Sequence, residues 1–134
     1  MKWSVLAVVS AGGAVGALAR YALGLAFPHA RGAFPWATFG VNVSGCLLIG
    51  GLMVLIAEVW PARRLIRPFV GTGMLGGYTT FSTYIVDIQQ LFAAGRAPAA
   101  LAYLFLTLVS ALAAVYAGGA VTKALLLRPT EEAA

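Results

Sequence analysis

The sequence predicts an all-α membrane protein of four transmembrane helices, with the third helix broken mid-membrane. Three observations carry that expectation. First, the chain is 61% hydrophobic and only 10% charged, whereas a soluble domain carries about 25% charged residues. Second, charges divide it into four neutral stretches, residues 3–19, 32–57, 68–86 and 97–122, of 17, 26, 19 and 26 residues. Each is long enough to cross a bilayer, which takes roughly 17–25 apolar residues. Third, the third stretch holds adjacent glycines and then a run of hydroxyl residues, a composition that weakens a helix. A soluble helical bundle would need polar outer faces, and these stretches have almost none.

The elements follow in order. Residues 3–27 form the first helix, ended by Pro28, and a short loop with His29 and Arg31 follows. Residues 35–60 form the second, with Pro35 suited to a first helical turn. A basic loop over residues 61–67 leads into the third, 68–92. A turn around Gly95 precedes the fourth, 98–127, and residues 1–134 read as one transmembrane domain. The lone cysteine, Cys46, lies mid-span as a small apolar filler.

Four spans place both ends of the chain on one side of the membrane. That side holds Lys2, Arg63, Arg64, Arg67, Lys123 and Arg128, against Arg31 and Arg96 on the other, so the termini are expected in the cytoplasm. The formal charge of +5 therefore reflects headgroup-facing segment ends. No aromatic-basic stripe of the nucleic-acid-binding kind is present, so no nucleic-acid partner is expected.

Polar side chains inside spans are costly and mark partners, cavities or ion pathways. Arg20, near the far end of the first helix, suits either snorkelling to the interface or lining an anion entrance. Asn42 lies inside the second helix on the face of Thr38, and its amide can serve as interhelical glue or as a donor to a ligand. In the third segment, Gly76-Gly77 is followed by Thr79, Thr80, Ser82 and Thr83, and a helix break is expected near residues 76–80. Irregular backbone at membrane depth is tolerated when buried in protein or lining a cavity, and freed carbonyls there can ligate cations. Close packing through Gly73-xxx-Gly77 and Gly12-xxx-Gly16 is the plainer use of the same glycines. On the fourth helix Tyr103 and Thr107 share a face, as a polar track or as interhelical hydrogen bonds.

Glu58 and Asp87 are placed near helix ends, so no buried carboxylate is expected. His29 stands alone on a loop. No nucleophile, base and acid can be assembled from this set, and the sequence argues against an enzyme.

Three groups of residues resemble the Fluc/CrcB fluoride channel family: Gly12-Gly13-x-x-Gly16-Ala17-x-x-Arg20-Tyr21, Asn42-x-x-Gly45, and Gly73-x-x-Gly76-Gly77-x-Thr79-Thr80-Phe81-Ser82-Thr83. They cover three of the four helices in the right order. The resemblance implies a passive fluoride exporter of the bacterial inner membrane, built as an antiparallel, dual-topology homodimer with two pores. It implies that Asn42 donates to fluoride and that Phe81 faces the anion with its ring edge. Tyr84 stands where the family has a second pore phenylalanine, keeping the edge and adding a hydroxyl. Ser82, Thr83, Tyr103 and Thr107 match hydroxyls of a polar track, and Arg20 matches the first-helix arginine. Ala111, one turn beyond Thr107, carries no hydroxyl and shortens the track. Gly76 and Thr79 match residues whose backbone carbonyls hold a structural sodium ion. Dual topology and the six-to-two charge bias pull in opposite directions. Either the bias is tolerated or the partner is an oppositely inserted chain.

Two other readings fit part of the chain. A small multidrug exporter would need a membrane-embedded glutamate in the first helix, which has none. A non-transporting structural subunit explains the glycines but not the hydroxyl run beside Phe81.

Overall fold

The computed structural model describes residues 2–128, and they are helical and connected by short turns. Helix α1 spans Lys2–Ala26 and α2 spans Trp36–Glu58. A helix of 25 residues is about 37 Å long, enough for the roughly 30 Å hydrocarbon core. Helix α3 is π-helical over Arg67–Leu75 and closes with one α-turn, Gly76–Tyr78. Helix α4 covers Ser82–Ala93 and α5 covers Ala97–Leu126. Helices α1, α2 and α5 are long and apolar enough to cross a membrane. At 12 residues, α4 is only about 18 Å long, so α3 and α4 act as two half-length pieces. The chain is thus a multi-pass membrane protein with a four-helix plan.

Two glycine-seated pairs organise the packing. On one side α3 lies against α1. A Cβ on Gly16 would run into the Met74 carbonyl, one on Gly77 into the Gly13 carbonyl, and one on Gly73 would sit 2.7 Å from the Val9 carbonyl. On the other side α2 lies against α5, where a Cβ on Gly50 would meet the Val115 carbonyl and one on Gly118 the Leu47 carbonyl. Lipid tails are as apolar as leucine, so helices in a bilayer associate through such close approach rather than through hydrophobic burial. Leu18, Leu48, Phe105, Val109 and Leu112 face outward accordingly.

The core sits where α4 packs on α5. Tyr84, Ile88, Leu91, Ala100 and Tyr103 are buried there, and Phe34 and Phe39 pack against them. Pro35 and Tyr103 are among the most completely buried side chains. The α4–α5 turn takes a glycine at Gly95, whose φ of +72° suits a residue without Cβ.

The expected break is present in the chain, and its form differs from a simple kink. Helix α3 stops at Tyr78, Thr79 turns extended at ψ 157°, and helix resumes at Ser82. The π-helical stretch upstream, over Arg67–Leu75, was not expected. Glycines at 71 and 73 weaken the α-helical preference there, and α1 presses backbone to backbone against that stretch. The expectation about carboxylates fails for Asp87, which is 6% exposed.

Candidate functional site

The Asn42 side chain reaches across to the break. The Asn42 amide on α2 pairs with both backbone groups of Thr80: Nδ2 donates to the Thr80 carbonyl at 2.9 Å, and the Thr80 N–H donates to Oδ1 at 2.8 Å. A side-chain amide offers a donor and an acceptor side by side in this way. Asn42 is nearly buried, at 9% exposure, so the pair forms away from competing water.

This pairing reroutes the hydrogen bonds of the broken helix. In a continued α-helix the Thr80 N–H would go to the carbonyl of Gly76; here it goes to Asn42. The Thr83 N–H would go to the carbonyl of Thr79; here it donates to Thr80 Oγ1 at 3.2 Å. The Thr80 hydroxyl also donates to Thr83 Oγ1 at 3.1 Å, closing the first turn of α4. Gly76 and Thr79 thus lose the helical donors that would occupy their oxygens. Both residues line a cavity of about 200 Å³ with Gly45, Cys46, Ile49 and Gly71, open to the surface of the chain. Two backbone carbonyls freed of helical partners suit a hard cation. A third end-carbonyl, that of Gly77, accepts from Arg20 Nε at 3.2 Å. Arg20 therefore does more than snorkel: it caps the C-terminal end of α3, where a cation is favoured.

Arg20 also lines a cavity of about 230 Å³ with Tyr21, Thr38, Val41, Thr80 and Thr83. One cation and four hydroxyl-bearing side chains meet there, beside the Asn42–Thr80 clamp. Thr38 and Thr80 were not singled out as site residues from sequence. Nor was the Ser44–Tyr78 hydroxyl pair at 2.9 Å, which ties α2 to the last turn of α3.

The aromatic and track residues form a second group. Tyr84 is buried, its ring 5.2 Å from Tyr103 and 6.0 Å from Phe81 between centroids. Its hydroxyl donates to the Leu104 carbonyl at 2.7 Å, so the extra oxygen relative to phenylalanine is satisfied within the chain. Tyr103 is fully buried, and its hydroxyl lies 3.4 Å from Asp87 Oδ2. Thr107, one turn further along α5, is 5% exposed, and its hydroxyl has no hydrogen-bond partner among the described residues.

The chain does not gather every expected residue at one point. Arg20 and Thr83 share the 230 Å³ cavity. Tyr84, Tyr103 and Thr107 lie in or beside the α4–α5 core. Phe81 and Ser82 stand exposed, Phe81 at 73%. Gly76 and Thr79 face a separate opening. Asp87 was missed because it was read as terminal. Yet Tyr84, Asp87, Ile88 and Leu91 are spaced i, i+3, i+4, i+7 and form the buried face of α4, a pattern present in the sequence. His29 Nε2 comes within 4.0 Å of Asp87 Oδ1, so the histidine is not isolated.

A helical membrane protein with an interrupted helix, freed carbonyls and buried uncharged donors belongs to the class that handles ions within the bilayer. Comparison with known proteins makes the assignment definite. Residues 7–119 match the family described as CrcB-like protein, Camphor Resistance (CrcB). The chain is 61% identical over 112 residues to the fluoride-specific ion channel FluC 1 of Streptomyces coelicolor, covering 84% of this chain and 73% of that one. It is 50% identical over 115 residues to FluC 2 of Nocardia farcinica, 86% of this chain and 82% of that one. With FluC 2 of Thermobifida fusca it shares 46% identity over 131 residues, 98% and 97% of the two chains. The chain belongs to the CrcB family.

Proposed function

We propose that the chain is a passive, fluoride-selective ion channel, not an enzyme, that lets fluoride leave the cell across the bacterial inner membrane. The observation that carries this reading is the Thr107 hydroxyl, buried and without a partner, one turn from Tyr103. A buried donor left unpaired costs about 1–3 kcal/mol. Such a group is tolerated where a ligand uses it. Fluoride is small and strongly hydrated, so a pore must replace its water with close donors. Hydroxyls and the second Asn42 N–H can do so at hydrogen-bond distance. Phe81 and Tyr84 add ring edges, which carry partial positive charge. Conduction needs binding strong enough to admit the ion and weak enough to release it. Neutral donors and ring edges meet both conditions.

The exposed Phe81 and Ser82 support assembly as an antiparallel homodimer. A ring 73% exposed cannot line a closed pathway within one chain, and a second copy would enclose it. The break then lies near the bilayer midplane, since α4 alone covers about half of the hydrocarbon thickness. The freed carbonyls of Gly76 and Thr79 fit a sodium ion held between two copies. It would supply a fixed positive charge at the centre, where low dielectric strengthens its field. An inside-negative potential drives the anion outward, by about 2.3 kcal/mol per charge at 100 mV, so no coupled carboxylate is needed.

Purified protein in liposomes loaded with potassium fluoride tests this directly with a fluoride electrode. On addition of valinomycin the vesicles should empty within seconds and retain chloride. Loss of chloride at a comparable rate, or no efflux of fluoride, would sink the proposal. Phe81→Ile should stop the flux while the protein still elutes as a dimer.

A further inference from the structure

Asp87 is an acid placed against an anion pathway. Its carboxylate accepts from the Tyr103 hydroxyl on the α5 track at 3.4 Å, and Thr38, which lines the Arg20 cavity, is among the groups acting on it electrostatically. Bare, it would have two effects. It would repel an approaching anion through a buried, poorly screened charge. It would also draw the hydroxyl protons of Thr38 and Tyr103 toward itself and away from the pathway, since each hydroxyl has one proton to give. The structure supplies one counter-charge able to change: His29 Nε2, 4.0 Å from Asp87 Oδ1, on a side chain 31% exposed and so in exchange with bulk protons. Imidazoles change charge between about pH 5 and 8.

The surrounding groups leave His29 as the variable one. Helix α2 contributes Thr38, α4 contributes Tyr84, and α5 contributes Tyr103, all uncharged near neutral pH. Arg31 lies in the same loop as His29. Arg96 on the α4–α5 turn has its stem beside Gly32 in that loop. Both arginines are exposed and permanently charged.

We propose that His29 and Asp87 form a protonation-controlled counter-ion pair that sets anion access to the Thr38–Tyr103 end of the pathway. With His29 protonated the carboxylate is neutralised and fluoride passes. With His29 neutral the bare carboxylate slows it. The proposal rests on the channel reading above.

The test measures fluoride efflux from liposomes between pH 6 and 8, with equal pH on both sides and potential clamped by potassium and valinomycin. The leak of protein-free vesicles is subtracted. Wild-type flux should fall several-fold from pH 6 to pH 8. His29→Ala should hold the low rate at every pH, and His29→Lys the high rate. Asp87→Asn should raise the pH 8 rate, and adding His29→Ala to it should change nothing more. His29 is the chain's one histidine, so its imidazole gives a single NMR titration. That midpoint should fall in Asp87→Asn, an effect that a packing role for Asp87 would not produce. A flat wild-type profile, a His29→Ala profile as steep as wild type, or an unmoved midpoint would overturn the pair. Should Asp87→Asn not fold, the two His29 variants decide the matter, since that side chain lies on an open loop. Absence of fluoride flux at every pH would count against the channel reading instead, and the NMR titration would still decide the pair.

Discussion

Replacing Thr107 by valine separates function from stability. Valine has nearly the shape of threonine and lacks only the hydroxyl. In most buried sites that change loses a hydrogen bond and destabilises. At Thr107 there is no hydrogen bond to lose, because the hydroxyl is buried at 5% exposure without a partner. Removing it relieves an unsatisfied donor, a gain of about 1 kcal/mol at the low end of the usual penalty. Interhelical hydrogen bonds within membranes average about 0.6 kcal/mol, which also argues for a small effect. Conduction should move the other way. A hydrogen bond to a charged partner contributes about 1.5–3 kcal/mol, so losing this donor should slow fluoride roughly tenfold to a hundredfold. The assay pairs liposome efflux with denaturant unfolding in detergent, using Thr107→Ser as the variant that keeps the hydroxyl. A Thr107→Val protein that conducts like wild type, or that is destabilised by more than about 1 kcal/mol, would refute the reasoning.

Other substitutions probe the scaffold. Asn42→Ala leaves both backbone groups of Thr80 unpaired and should cost about 2–6 kcal/mol, at 1–3 for each group, read from the unfolding midpoint; a loss below about 1 kcal/mol would mean that the clamp is not what holds the break. Gly77→Ala would push a Cβ into the Gly13 carbonyl and should lower the melting temperature, whereas Gly24→Ala has open space around it and should not. Tyr84→Phe removes the 2.7 Å bond to the Leu104 carbonyl and should cost about 1 kcal/mol in the same unfolding assay. The cost stays small because an α-helical carbonyl keeps its backbone donor.

The helix plan could be read from residue order because charges and prolines mark where apolar stretches stop. Pro28 and Pro35 bracket the first loop, and Pro61 and Arg67 the second. The break after Tyr78 was foreseeable from Gly76-Gly77 and the hydroxyl run, a local composition effect. What holds the break was less visible. The Asn42–Thr80 clamp joins residues 38 apart in sequence, and no local pattern announces such a pairing. The π-helical stretch over Arg67–Leu75 depends on how closely α1 approaches, which is a property of the pair and not of either segment. Asp87 is a different failure. Its neighbours Tyr84, Ile88 and Leu91 form a helical stripe, but the sequence places Asp87 near the end of the 68–92 segment, even with a break expected upstream. In α4, which spans only Ser82–Ala93, Asp87 lies in the middle of the helix on its buried face.

The central claim is that neutral hydrogen-bond donors and ring edges replace the water around one small anion and no larger one. A planar-bilayer recording of the purified protein, with fluoride on one side and chloride on the other, tests this most directly. The expected result is a reversal potential close to the fluoride equilibrium value, unchanged when the chloride concentration is altered. A reversal potential that follows chloride would contradict the account.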